Sequence, residues 1–157
     1  MNRVVRTAAL ASVLGLITAC SSLDSTVPEA VPIEQTTFAA SLGVNIAGST
    51  RTANGAYYRD IVVGTGPVVI NGQTITARYT GWLSSGVQFD SNTTTGYQFA
   101  LGTGRVIAGW DEGLQGVRVG TTRQLIIPAN LAYGPSGFGP IPGNAVIVFN
   151  VEVVSAQ

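Results

Sequence analysis

The sequence predicts an α+β domain in which a curved antiparallel sheet of five or six strands wraps around one short helix. From about residue 53 onward, short segments with alternating apolar and polar side chains are separated by turn residues, as is typical of antiparallel strands. Only one segment has the spacing of an amphipathic helix, and no strand–helix–strand unit surrounds it. Because one short helix cannot cover both faces of a flat sheet, the sheet is expected to curve around it.

The strands follow from alternation that turn residues interrupt. Full strands are predicted at 57–63, 74–80, 97–101, 121–127 and 145–154, with a short extended segment at 87–90. The last strand places Ile147, Phe149, Val151 and Val153 on one side. Residues 91–96 are polar and predict a loop, and residues 129–143 predict a long loop rich in glycine and proline.

The helix is predicted over 106–115. Ile107, Trp110 and Leu114 have spacings of three and four residues, which places them on one apolar stripe. Gly116 follows at a position typical of a helix C-terminus. Taken alone, this pattern favours Trp110 as a core residue rather than a site residue.

Composition excludes several kinds of chemistry. The chain has no histidine, no lysine and a single cysteine, Cys20, so imidazole-dependent triads, lysine Schiff bases and Cys/His zinc sites are excluded. Eight arginines balance eight acidic residues and are scattered, which argues against a nucleic-acid-binding patch. We expect no cofactor and no metal site, and any reaction should need no strong acid, base or nucleophile.

Residues 1–19 have the pattern of a signal peptide. Arg3 and Arg6 precede the apolar run 8–17, which is too short to span a bilayer as a helix. Small residues before Cys20 resemble a bacterial lipobox, which implies cleavage before Cys20 and acylation of its thiol. The alternative is an ordinary cleaved signal with an incidental cysteine. The lipobox predicts a lipid-anchored, periplasm-facing protein of the cell envelope, and Ser21 in place of Asp favours the outer membrane.

Residues 20–52 are rich in Ser, Thr, Pro and Ala and predict a flexible tether, with the folded domain at 53–157. Within the tether, residues 38–46 are more apolar. They predict either a partly ordered extension or a segment that docks on the domain or on a partner.

The motifs of the folded part resemble one family in order and spacing. They are Tyr79-Thr80-Gly81-Trp82-Leu83, Gly86-Val87-Gln88-Phe89-Asp90-Ser91, Phe99-Ala100-Leu101-Gly102, Val106-Ile107-Ala108-Gly109-Trp110-Asp111-Glu112-Gly113, Ala132-Tyr133-Gly134 and Val148-Phe149-Asn150-Val151-Glu152. This series resembles the FKBP-type peptidyl-prolyl cis/trans isomerases over about 57–154. The loop after Tyr133 departs from the family pattern, since it is about one residue shorter and has Phe138 where a histidine is frequent.

The resemblance implies a role for each matching residue. Trp110 would form the floor of a proline pocket, and the Ile107 backbone N–H would donate a hydrogen bond to the ligand. Asp90 and Tyr133 match the polar pair near the carbonyl groups of the bound peptide. Ile141 would form the hydrophobic loop tip. The walls of the pocket would be Tyr79, Phe89, Tyr97, Phe99, Val106, Ile107 and Phe149.

The resemblance further implies isomerisation of X–Pro bonds during the folding of envelope proteins, with proline-containing polypeptides as partners and macrolide inhibitors as ligands. Two other functions remain open on the residues alone. The pocket could bind proline-containing peptides without turnover, as a chaperone or adaptor, or the domain could be purely structural. The role of the Asp90 carboxylate is also open, since it could orient the substrate or stabilise charge through carbonyl contacts.

Overall fold

Six antiparallel strands form one sheet in the structure, a computed structural model that describes residues 29–157. The strands are β1 Thr50–Arg51, β2 Tyr57–Val62, β3 Thr74–Leu83, β4 Gln88–Ala100, β5 Thr122–Ile127 and β6 Ile147–Ala156. Their order across the sheet is β1-β2-β5-β6-β3-β4, and the helix α1 spans Ala108–Gly113. The predicted α+β class, a curled sheet with one short helix, is confirmed. The predicted signal peptide and Cys20 lie outside the described residues.

The main core lies between the inner face of the sheet and α1. The inward residues of β6 are the four that the alternation predicts, and all four are buried: Ile147, Phe149, Val151 and Val153. The helix approaches β5 closely because residue 109 is glycine. A Cβ at Gly109 would lie 2.3 Å from Cγ2 of Ile127, well inside van der Waals contact. This close approach seats Trp110 at the edge of the core.

The outer face of the sheet is covered as well, and here the structure corrects the sequence-based prediction. Residues 33–51, which we call the N-terminal strap and which end in β1, were predicted as part of a flexible tether but pack against the rest of the sheet. For residues 38–46, docking on the domain was one of the two alternatives left open, and it is the one that the structure shows. Ile33 is only 3% exposed. A second apolar cluster joins it to outward-facing residues of β2, β5 and β6 and to the residue just before β6: Tyr57, Ile126, Val148 and Val146. Partly buried strap residues surround this cluster: Phe38, Leu42, Val44 and Ile46.

Hydrogen bonds fix the strap at several points along its length. They are Gln124 Nε2 to the Leu42 carbonyl (2.8 Å), Arg59 Nη2 to the Gly43 carbonyl (2.9 Å), the Tyr57 hydroxyl to Glu34 Oε1 (2.5 Å) and the Ala39 N–H to the Ser84 carbonyl (2.8 Å). Gln124 is itself buried in the sheet, and its Nε2 donates both to the Leu42 carbonyl and, at 3.2 Å, to Oδ1 of Asn150, so the strap helps to satisfy a buried amide. The folded unit therefore begins near residue 33 rather than 53.

Two further boundaries differ from the prediction. The polar segment 91–96 is not a separate loop but lies within β4. Ser91 and Asn92 pair with β3, and residues 93–96 form a bulge before the pairing resumes at Tyr97↔Ala77. The Asn92 side chain closes this bulge by accepting a hydrogen bond from the Gly96 N–H at 3.0 Å. The helix is shorter than 106–115 because Ile107 has extended backbone angles (φ −59°, ψ 146°).

No helix within residues 29–157 has the length and apolarity needed to cross a membrane.

Candidate functional site

A cavity of about 410 Å³ opens beside the N-terminal end of α1. This volume lies within the range of small-molecule sites in proteins. Ten residues line it: Tyr79, Asp90, Tyr97, Gly104, Arg105, Val106, Ile107, Trp110, Tyr133 and Phe149. Most of the predicted site residues are therefore brought together from β3, β4, β6, α1 and two loops.

The indole of Trp110 lies at the base of the cavity, held by three aromatic rings. The Tyr79 and Phe149 rings meet it nearly perpendicularly, with centroids 5.1 and 5.2 Å from that of the indole. The side chain is only 4% exposed, yet it still lines the cavity. Edge-to-face contacts of this kind stabilise aromatic pairs and hold the indole in one orientation. The cavity thus has a rigid, apolar floor.

Two hydrogen-bond donors at this floor have no partner in the described part of the chain. The buried Nε1 of Trp110 meets no acceptor among residues 29–157. The backbone N–H of Ile107 likewise donates to no group within this range, because Ile107 immediately precedes the helix. Nε1 of Trp110 is closed off from solvent, whereas the N–H of Ile107, a residue that lines the cavity, is available to a bound ligand.

Three residues predicted to contact the substrate do not line the cavity. Phe89 and Phe99 lie behind the wall, where Phe89 packs on Phe149 (5.4 Å) and Phe99 packs on Trp110 (5.6 Å). Gly81 permits this layer, since a Cβ there would lie 2.5 Å from Phe149. These rings therefore support the wall rather than form its surface.

Ile141 is the third residue that the structure places elsewhere. It is 5% exposed and belongs to the main core, because the short turn after Phe138 folds the chain back and pairs the two backbones. The exposed apolar side chain of this loop is instead Phe138, which is 70% exposed. Its ring stacks on that of Tyr133, with centroids 5.8 Å apart and planes inclined by 15°.

Polar groups gather on one side of the cavity. The Tyr79 hydroxyl donates a hydrogen bond of 2.7 Å to Oδ2 of Asp90. Burial raises the pKa of Tyr79 well above its ordinary value, and the hydrogen bond to Asp90 adds to the shift. Burial and the charge of Asp90 also raise the pKa of Tyr133. Both phenols are therefore neutral hydrogen-bond donors at physiological pH.

These shifts predict a loss of stability at alkaline pH. The folded protein holds the Tyr79 proton more tightly than the unfolded chain, whose phenol titrates near about pH 10. The stabilisation is therefore complete below that pH and is lost as the pH rises towards the folded value. Urea unfolding between about pH 8 and pH 11 should show a decline in the free energy of unfolding that is shallower in Tyr79→Phe. Equal declines in the two proteins would contradict the assignment.

The loop between β4 and α1 carries Val106 and Ile107 to the cavity, and Asp111 holds it. The Gly102 and Gly104 N–H groups donate to the two Asp111 carboxylate oxygens at 2.7 and 2.9 Å. A carboxylate that accepts two backbone N–H groups forms stronger bonds than a neutral acceptor does. Asp111 is thus a positioning residue for this side of the cavity.

Replacing Asp111 tests this positioning role. Asp111→Ala leaves two backbone donors unpaired and is expected to cost about 1–2 kcal/mol of stability. Because the loop then moves relative to Trp110, KM for a proline-containing peptide should rise severalfold with a smaller change in kcat. Asp111→Asn keeps one acceptor oxygen and should recover part of both losses. Steady-state kinetics with parallel urea unfolding gives both quantities, and an unchanged KM in Asp111→Ala would contradict the role.

Two residues that line the cavity, Gly104 and Arg105, were missed by the sequence reasoning. Their position immediately before Val106 was the available signal, since both neighbouring segments were assigned to the site.

No group of three Asp, Glu, Cys or His side chains comes together within residues 29–157.

Comparison with known proteins agrees with this geometry. The sequence profile of the FKBP-type peptidyl-prolyl cis-trans isomerases matches residues 66–154. The chain is 46% identical over 102 residues to an FK506-binding protein of Streptomyces anulatus. The aligned region covers 62% of this chain and 82% of that protein. It is 47% identical over 103 residues to FK506-binding protein 4 of Dictyostelium discoideum, which covers 65% of this chain. That protein is much longer, and the match spans 28% of its length.

Solved structures show the same likeness. A peptidyl-prolyl cis-trans isomerase of Pseudomonas syringae pv. tomato superimposes with a TM-score of 0.65 and 31% identity. The match covers 75% of this chain and 86% of that one.

Proposed function

We propose that this chain, which belongs to the FKBP-type peptidyl-prolyl cis-trans isomerase family, catalyses the cis–trans isomerisation of X–Pro bonds in polypeptides. The observation that carries the proposal is the cavity itself. It has an apolar floor at Trp110 and neutral phenols with one carboxylate, Asp90, along one side. No nucleophile is required, because the reaction breaks no bond.

The physical basis is a difference in polarity between the planar amide and the twisted transition state. Rotation about the X–Pro bond faces a barrier of about 18–20 kcal/mol because C–N resonance is lost on twisting. The planar amide is more dipolar than the twisted one, so an apolar cavity destabilises the ground state more. A site that binds the twisted form better than the planar form lowers the barrier. The prolyl ring would lie on Trp110 while the acyl side rotates.

The polar residues hold the peptide in the conformation that twisting requires. The Ile107 N–H and the Tyr133 hydroxyl are donors suited to peptide carbonyls. The Asp90 carboxylate holds the Tyr79 hydroxyl and therefore fixes the ring that packs edge-on against Trp110. Since the pKa values of Tyr79 and Tyr133 are raised, both phenols stay protonated near neutral pH and act as hydrogen-bond donors.

The activity is tested by NMR exchange spectroscopy on an X–Pro peptide with the wild type and Asp90→Val. We expect wild-type protein to accelerate exchange and Asp90→Val to lose about tenfold or more in kcat/KM, which corresponds to about 1.4 kcal/mol. Glu152→Gln is a matched control, because Glu152 lies on β6, pairs with Arg78 and does not line the cavity. Peptide binding without acceleration would instead identify a chaperone or adaptor module and end the proposal of catalysis.

We also propose that the cavity binds FK506-type macrolides. The names of the Streptomyces anulatus and Dictyostelium discoideum relatives support this, as does the apolar floor with the unpartnered Ile107 N–H beside it. Binding should quench Trp110 fluorescence and inhibit isomerisation at the same ligand concentration. Inhibition that is absent at saturating ligand would contradict it.

We propose, finally, that the domain acts on proteins of the bacterial cell envelope while anchored through a lipid on Cys20. The run of small residues before Cys20 and the apolar segment 8–17 support the anchor. Expression of the full chain in a Gram-negative host should place it in the membrane fraction, with the outer membrane favoured. Cys20→Ser should release it, and mass spectrometry should find acylated Cys20 at the mature N-terminus. An unmodified Cys20 would contradict this proposal and leave the isomerase proposal intact.

A further inference from the structure

Arg105 is an arginine at the cavity whose charge no protein group satisfies. It lines the cavity and is exposed, and no hydrogen bond, ion pair or ring contact involves its guanidinium within residues 29–157. Every other arginine in this range has a partner. Arg51 lies over the Tyr57 ring, Arg59 binds the Gly43 carbonyl, Arg78 pairs with Glu152, Arg118 binds the Gly66 carbonyl and Arg123 pairs with Asp60.

The backbone that carries Arg105 is held in place although its side chain is free. Gly104, the preceding residue, has a left-handed backbone (φ 70°) and donates its N–H to Asp111. Val106 and Ile107 follow and line the same cavity. The guanidinium therefore extends from a fixed point at the edge of the cavity, with the flexibility of its own side chain only.

Arg105 and Asp90 are the two charged residues that line the cavity. They form no ion pair, although both line it. The cavity thus contains a carboxylate, which the Tyr79 hydroxyl binds, and a guanidinium that is not paired with it. A carboxylate on a bound peptide can therefore pair with Arg105 without displacing an ion pair within residues 29–157.

We propose that Arg105 determines substrate specificity by pairing with an acidic side chain next to the proline of the bound peptide. The inference rests on the proposed isomerase function and adds a preference to it. A guanidinium matches a carboxylate in geometry as well as in charge, since it can donate two parallel hydrogen bonds. Because the pair is exposed to solvent, the preference for Glu over Gln should be about two- to fivefold in kcat/KM and should weaken in high salt.

The test compares peptides that differ only in one charge. Two series are used, one with Glu or Gln before proline and one with Glu or Gln after it, and exchange is followed by NMR without a coupling protease. Within each protein the ratio of kcat/KM for Glu over Gln is measured at low salt and at about 1 M salt. This ratio cancels any general loss of activity in a variant. The proteins are the wild type, Arg105→Gln, Arg105→Glu and the control Arg118→Glu, which makes the same charge change outside the cavity.

We expect a ratio of about two to five for the wild type in at least one series, about one for Arg105→Gln and below one for Arg105→Glu. Arg118→Glu should keep the wild-type ratio. If the wild type and both Arg105 variants give the same ratio, the inference is overturned while the isomerase function stands. If Arg118→Glu lowers the ratio as much as Arg105→Glu does, the preference reflects net charge and the inference is also overturned. A wild type that accelerates neither peptide removes both proposals.

Discussion

Trp110→Ala is expected to lose about 10- to 100-fold in kcat/KM towards X–Pro peptides. The loss corresponds to about 1.5–3 kcal/mol, the free energy gained when an apolar ring is fully buried against another surface. Without the indole, the cavity loses its floor and the prolyl ring loses its stacking surface. The same change removes the ring that Tyr79, Phe99 and Phe149 contact, so the free energy of unfolding should also fall by about 3–5 kcal/mol.

The effect on activity must be separated from the effect on stability. Leu114→Ala serves this purpose, because Leu114 directly follows α1, is fully buried in the same core and does not line the cavity. Its expected cost is about 2–5 kcal/mol. At a temperature where circular dichroism shows both variants folded, Leu114→Ala should stay within about threefold of wild-type activity. Equal losses of activity in the two variants would show that Trp110 acts through the fold alone.

The site was largely predictable because its residues lie in contiguous motifs. The order and spacing of these motifs identify Trp110, Asp90 and Tyr133, and the sheet brings them together. Which aromatic side chains form the surface of the cavity and which lie behind it could not be predicted. Phe89 and Phe99 carry the same alternation as Tyr97, but the curvature of β4 and the glycine at position 81 decide which ring faces the cavity.

The sequence pattern misplaced Ile141 and gave no sign of Arg105, and both residues lie in loops. Loop residues have no periodicity, so nothing in the pattern distinguishes a loop tip from a residue that folds back into the core. Ile141 was predicted at the loop tip but folds back into the core because of the short turn before it, and Phe138 is the exposed apolar residue of the loop instead. Arg105 belongs to no apolar pattern and becomes visible only when its partners are sought in three dimensions.

The fold class could be predicted from the alternation of apolar and polar residues in the strands. The packing of the N-terminal strap on the outer face of the sheet could not. One helix covers the inner face of the sheet, but the outer residues Ile126 and Val148 are also apolar and fully buried. Ile126 lies between the inward-facing Leu125 and Ile127, so β5 has no alternation in burial and requires a cover on both faces. The continuous apolar run 125–127 was the available signal that a second layer exists. The composition of residues 20–52 concealed it, because only a few strap residues are large and apolar.

Ile33→Ala is expected to lower the free energy of unfolding by about 2–5 kcal/mol, or the melting temperature by about 8–20 °C. Ile33 is buried against Ile126 and Val148 on the face of the sheet opposite the cavity, so the folded variant should retain wild-type kcat/KM. Val31→Ala is the matched control, because Val31 is 48% exposed and its loss should cost less than about 0.5 kcal/mol. Urea unfolding monitored by both Trp fluorescence and circular dichroism measures the effect. If Ile33→Ala unfolds at the wild-type urea concentration, the strap contributes nothing to the cooperative unfolding of the domain. The cooperative unit would then begin near residue 53, where composition alone places it.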